Sequence, residues 1–441
     1  MDYLRGLFGI LVLLGVAYVF STNKKRIDWK LVGIGMLLQI IFGVLITQVP
    51  VVVGIFEAIS YGFVTFLGFA RDGAIFLFSD LAKNSFEDPE VKHSLGFLFA
   101  FQVLPTVIFF SAVSTGLYYL GILQKIVYGI AWVMARTMRL SGAESMSAAG
   151  NIFLGQTEAP LLVRPFISRM TQSELMCLMT GGMATMAGAV LAAYVSLLGG
   201  EDIDEQTRFA AYLLSASIMN APAAIVVSKI IIPEIHPENI DSRLQVSKES
   251  IGVNFIDALS NGTTVGLKLA ANIGAMLLAF IAIIYALNGF FVGVVGEYTG
   301  LNEFVISSTN GQFEGFSLQY MLGQVFRLFA FVMGVEWGET LRVGSLIGQK
   351  TVINEFIAYE NLSKMIDPEK TAEVLTGKPL VIATYVLCGF SNFSSIAIQI
   401  GGIGGMAPNQ QSNLSRLGMK ALLAATIACM LTATVAGAIT S

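Results

Sequence analysis

The chain has 441 residues, 55% of them hydrophobic and 13% charged, with a formal net charge of −4 and a mean hydropathy of +0.72. Soluble domains run about 45–50% apolar and about 25% charged, so a string of soluble domains is excluded in favour of an all-α polytopic membrane protein. No nucleic-acid partner is expected, and Cys177, Cys388 and Cys429 stand in apolar runs at no ligand-like spacing.

In chain order, the apolar run from Leu7 to Phe20 is followed by "STNKKRIDWK" rather than a small-residue cleavage site, so it reads as a retained first span. Runs long enough to cross a bilayer as helices occupy 4–22, 31–50, 94–121, 174–199, 208–232, 263–290, 378–403 and 418–440, eight in all. Three further regions, 51–80, 144–170 and 317–364, are apolar but interrupted. Glu57 and Arg71 break the apolar run of the first, which is expected to lie along the interface as an amphipathic helix. The other two are too long and too polar for single spans and are expected to be re-entrant helical hairpins.

Topology follows the basic residues. Lys24, Lys25, Arg26 and Lys30 put the first loop inside, and Arg136, Arg139, Arg164, Arg169, Lys229, Arg416 and Lys420 join it there only if both hairpins are re-entrant. The loop "GGEDIDEQT" at 199–207, with no basic residue, falls outside. The order hairpin, span, span then occurs twice in opposite orientation. The expected organisation is 1–143 as N-terminal spans and scaffold, 144–232 as the first repeat, 233–316 as an interfacial segment and scaffold span, and 317–441 as the second repeat. The middle spans carry matching interruptions, Gly182, Thr185 and Gly188 against Gly389, Asn392 and Ser395. Inverted repeats with broken helices in corresponding positions point to a secondary transporter with a site near the bilayer midplane.

Glu158 and Glu355 carry the chemistry most economically. Each lies in a hairpin beside an amide, Gln156 and Asn354 respectively. A carboxylate at membrane depth costs about 2.5–3.5 kcal/mol on insertion scales, so it faces a cavity or a partner. The plain alternative is a structural ion pair with Arg164 or Lys350. Amide and hydroxyl neighbours favour a polar ligand that donates hydroxyls and ring N–H groups. Asn151, Thr185, Asn392, Ser394 and Ser395 form a neutral polar set, and carbonyls freed at broken helices are hard-oxygen ligands of the kind a sodium ion takes. Singly, such hydroxyls more often bond back along their own helix. An intramembrane hydrolase is disfavoured, since the chain's two histidines, His93 and His236, lie in polar connecting segments. The glycines of "QIGGIGGMAP" lack the strand and lysine of a phosphate loop.

Three motifs together resemble one family. "GNIFLGQTEAPLLVRPF", "GQKTVINEFIAY" and "GFSNFSSIAIQIGGIGGMAPNQ" are similar to the signatures of the concentrative nucleoside transporters, in order from about Leu95 to the C-terminus. The resemblance implies a homotrimer in the bacterial cytoplasmic membrane, with a scaffold and a mobile transport domain that moves in an elevator-like step. It implies that Gln156, Thr157 and Glu158 face the nucleobase of uridine, cytidine or adenosine and that Val190 packs on it. Glu355, Asn392 and Ser395 then hold the ribose, with Phe390 alongside. It implies a sodium site made by Asn151, Thr185 and the carbonyls of Leu154 and Met186. Two positions depart from similar proteins: Thr185 stands where a serine is common, and Gly155 where pyrimidine-selective members carry serine. Symport with a proton is the alternative; Asn151 with Thr185 favours sodium. A sodium ion on the backbone around Leu154 and Met186 would also pre-organise Gln156 to Glu158, so each ligand raises the other's affinity.

Overall fold

The computed structural model describes residues 2–83, 98–200, 202–236, 238, 240–241, 243–244, 252–371 and 373–440. His93 and the first residues of the span expected at 94–121 lie outside the described residues. Those described are almost all helical, with no strand among them. Eight helices are long and apolar enough to cross a membrane.

The segment 51–80, expected as an amphipathic helix, is one uninterrupted helix, Pro50–Phe78, of 29 residues. Val49 is extended before Pro50, as a residue preceding proline prefers, and Glu57 and Arg71 interrupt only the apolar run, because a side chain on the solvent or lipid side leaves the backbone ladder intact. The run 378–403 is broken, as its interruptions indicate: it is two helices, Gly377–Leu387 and Phe393–Met406, parted by five non-helical residues. Gly389 with φ +117° cannot continue a helix.

The repeat is longer than its motifs. Its first copy runs through Ile122–Met138, Gly142–Gly150, a turn into Ala159–Val163 and Arg164–Ile167, then the broken pair Gln172–Ala184 and Gly188–Gly199, then Ile203–Ile231. The second copy runs through Leu318–Val332, Thr340–Val352, Glu355–Met365, the pair Gly377–Leu387 and Phe393–Met406, and Gln411–Ile439. The hairpin at 317–364 is therefore a helix plus a hairpin, because Gly334, at φ +103°, turns the chain between them. The breaks also sit in a different register from the one the glycines indicate. Thr185 closes the first half of its broken helix, whereas Asn392 opens the second half of its own.

The broken helices and the two long closing helices form the inside of the body. Within the apolar window of Gln172–Gly199, 94% of residues are buried, against 6% in that of Phe255–Thr299. Helix Phe255–Phe290 lies outside and packs on Leu104–Tyr119. Small residues permit that approach: a Cβ at Gly262 would sit 2.7 Å from Thr115 Cβ, and one at Gly266 2.8 Å from Ile108 Cα.

Candidate functional site

The second repeat builds a dense polar cluster from two helix starts. Asn354 caps Glu355–Met365 by accepting the N–H of Ile357 at 3.0 Å, and so sets Glu355 at the first helical position. Asn392 caps Phe393–Met406 by accepting the N–H of Ser395 at 2.9 Å. The same Asn392 donates its Nδ2 to Glu355 Oε2 at 2.6 Å, and Ser394 Oγ donates to its Oδ1 at 2.7 Å. Tyr194, from the first repeat, donates its hydroxyl to Glu355 Oε1 at 3.2 Å and stacks on Tyr359 with centroids 4.3 Å apart. Glu355 thus takes its bonds from neutral groups. Lys350 is spent elsewhere: its buried Nζ donates to the carbonyls of Val386 at 2.8 Å and Cys388 at 3.4 Å, at the C-terminal end of a half-helix where a cation is favoured.

The first repeat contributes a turn. After Gly142–Gly150, opened by a Ser141–Glu144 capping box, the chain turns through 151–158 and restarts at Ala159–Val163 with Pro160 in its first turn. Gln156 donates Nε2 to Ser395 Oγ at 3.1 Å and accepts from Gln399 Nε2 at 3.2 Å, while Gln399 also donates to Met179 O at 3.1 Å. Gly182 is required here, since a Cβ would lie 2.7 Å from Gln399 Nε2 and 3.1 Å from Gln156 Cβ. Among the described residues, Glu158 accepts just the weak Gly155 N–H contact at 3.4 Å. The base of this hairpin is pinned by a buried ion pair between Lys229 and Glu144.

Behind the turn lies a set of oxygens. Asn151 is 1% exposed, and among the described residues neither of its side-chain amide atoms has a hydrogen-bond partner. It faces Gly181, where a Cβ would stand 3.0 Å from its Nδ2, and Thr185 Oγ1 donates to Gly181 O at 2.8 Å, which leaves the Thr185 lone pairs free. The break is joined to the turn by Gly188 N–H, which donates to Phe153 O at 3.1 Å. Leu154 and Met186 flank that bond, and Met186 N–H donates to Ser217 Oγ at 3.4 Å. A buried amide with an unpaired acceptor, a hydroxyl with free lone pairs and a non-helical backbone suit a small hard cation.

All eight residues expected to touch substrate, Gln156, Thr157, Glu158, Val190, Glu355, Phe390, Asn392 and Ser395, line one cavity of ≈ 520 Å³. The outer helix Phe255–Phe290 closes its far side with Lys268 and Asn272, one turn apart. Sequence reasoning missed these two because it treated 263–290 as a plain apolar span, although a lysine in mid-span was itself a signal. It also missed Tyr194 and Gln399, for which no local signal exists.

Broken helices in a twofold repeat, with hairpin tips and helix breaks meeting at one polar cavity, define a secondary transporter rather than an enzyme. Models for the Na+ dependent nucleoside transporter N-terminus and C-terminus match residues 8–81 and 212–437, and one for nucleoside recognition matches 100–201. The chain belongs to the family of Na+ dependent concentrative nucleoside transporters, and it is a multi-pass integral membrane protein whose coupling ion is Na+. It is 39% identical to an uncharacterized transporter of Haemophilus influenzae, across 99% of this chain and 98% of that one. It is 36% identical to the nucleoside permease NupC of Helicobacter pylori, across 97% and 96%. The solved structure of CNTnw in an inward-facing substrate-bound state matches with a TM-score of 0.88 at 38% identity, covering 100% of this chain and 98% of that one.

Proposed function

We propose that the protein imports nucleosides such as uridine, cytidine or adenosine across a bacterial cytoplasmic membrane by symport with Na+. The observation that carries this reading is the convergence of both hairpin tips and both helix breaks on the one cavity of ≈ 520 Å³. Glu355, Asn392 and Ser395 hold the ribose hydroxyls, with Phe390 alongside. Gln156, Thr157 and Glu158 read the base, and Val190 packs on it. The cation sits on Asn151, Thr185 and the carbonyls of Leu154 and Met186.

In this reading the hairpins are re-entrant and travel with the broken helices as one body. Helix Phe255–Phe290, outside both repeats, stays behind as scaffold, which is an elevator-type alternating access. Its sparsely buried outer face supplies the apolar surface for a homotrimer. Coupling follows from the Phe153–Gly188 bond: a cation that orders the break also orders the turn bearing Gln156 to Glu158, so each ligand strengthens the other. The test is uridine uptake into proteoliposomes with cytidine and adenosine as competitors. Uptake that accumulates only under an inward Na+ gradient is expected. Equal uptake under a proton gradient without Na+ overturns the ion assignment, and flux that neither saturates nor accumulates substrate overturns symport.

A further inference from the structure

A second large cavity, of ≈ 960 Å³, lies away from the nucleoside site. Its walls come from four places: Thr22 and Asn23 after the first helix, Arg169–Ser173 where the chain leaves the first hairpin, Ile232–His236 after Ile203–Ile231, and Asn413–Lys420 near the start of the closing helix. Residues Lys24, Lys25 and Arg26 follow directly on from the first wall, so this is the face read as cytoplasmic.

Three cations line it, Arg169, Arg416 and Lys420. Arg416 and Lys420 stand four apart on one helix, where like charges repel. No ion pair neutralises either of them among the described residues. The cavity's carboxylate, Glu234, is already engaged: Oε1 accepts the His236 N–H at 2.8 Å and Oε2 the Thr171 hydroxyl at 2.6 Å. Asp241, whose field reaches Arg169, is held at about 2, first by its hydrogen bond from Arg243 at 3.0 Å. Three basic side chains around a roomy cavity, with its one carboxylate already engaged, form a site of positive charge suited to an anion.

We propose that this cavity binds a phosphate group, either the headgroup of an anionic phospholipid or free phosphate. Lysine and arginine between membrane helices on a cytoplasmic face are the groups that recognise such headgroups, and guanidinium forks match phosphate oxygens. Occupancy would bear on the first hairpin, because the segment by which the chain leaves it is strapped to the same region. Gln410 Nε2 donates to the carbonyls of Ile167, Ser168 and Met170 at 3.3, 3.3 and 3.1 Å, and Asn409 Nδ2 donates to Ser168 O at 2.9 Å.

The test uses the purified full chain in detergent, by native mass spectrometry with dioleoyl phosphatidylglycerol against dioleoyl phosphatidylcholine and by thermal melting with inorganic phosphate. The wild type is expected to retain phosphatidylglycerol preferentially, and R169Q/R416Q/K420Q to lose that retention by about a hundredfold, while the charge-keeping R169K/R416K/K420R retains it. If the triple glutamine variant aggregates, R416Q alone is expected to show a loss of about fivefold. A melting shift with phosphate in the wild type but not in the glutamine variant, without lipid preference, supports free phosphate as the source. Equal retention of both lipids with no phosphate shift, or undiminished retention in the glutamine variants, overturns the proposal. None of these readouts depends on nucleoside uptake, so the site stands or falls apart from the transport assignment.

Discussion

Glu158 and Glu355 occupy corresponding hairpins, yet they are held very differently. Glu158 is half-buried at a turn and accepts one long backbone contact of 3.4 Å. Glu355 is 4% exposed and fixed by Asn392 at 2.6 Å and Tyr194 at 3.2 Å. A carboxylate whose partners are already in place suits a ligand part that never changes, and a loosely held one suits a part that varies. Among nucleosides the ribose is constant and the base is not. In the proposed site, the contrast is that between a pre-organised sugar clamp and an adaptable base-reading edge.

The comparison breaks most readily at Glu355. Glu355→Gln keeps the shape but loses the charge-assisted bonds, each worth about 1.5–3 kcal/mol, so uptake of every nucleoside should fall by about a hundredfold or more. If only purines or only pyrimidines suffer, the clamp is not for sugar. Asn151→Leu comes next. It removes the unpaired buried amide, and the Na+ concentration for half-maximal uptake should rise by at least about tenfold, the scale of one hydrogen bond or ligand to a charged group. An unchanged Na+ dependence would take Asn151 out of the cation site. Glu158→Gln should alter the ratio of purine to pyrimidine uptake by about tenfold while leaving the better substrate within a few-fold of wild type, consistent with one ligand hydrogen bond of about 1 kcal/mol. Competition assays read this directly. Gln399→Leu should raise KM by up to about tenfold through loss of the hold on Gln156, with kcat nearly constant. Tyr194→Phe removes the longer of the two side-chain bonds to Glu355 and is expected to lower uptake by about tenfold, the low end of the range for a hydrogen bond to a charged group.

Much of this was legible from residue order alone. Long apolar runs mark helices because lipid demands about twenty apolar residues per crossing, and the three polar motifs mark the hairpin tips and the second break because polar groups are rare at that depth. What stayed hidden was long-range or positional. Tyr194 and Glu355 are 161 residues apart, and Gln399 reaches Gln156 across 243. Lys350 was read as a candidate partner for Glu355 five residues on, yet it reaches carbonyls 36 and 38 residues away. The register of the breaks was misread because glycine spacing locates flexibility, while φ at Gly389 and the capping side chain of Asn392 decide where a helix stops and restarts.

Gly389 has one more consequence. A Cβ there would stand 2.4 Å from the carbonyl oxygen of Ala184 and 3.0 Å from that of Met183, so the two helix breaks cross in direct backbone contact. The residue after Ala184 belongs to the proposed cation set, and Asn392, three residues on from Gly389, belongs to the proposed sugar clamp. Through that crossing, the tightness of the machine becomes a matter of clearance. A methyl group wedged in by Gly389→Ala would part the two breaks, and the expected fault is slip rather than stoppage: cations crossing without their passenger.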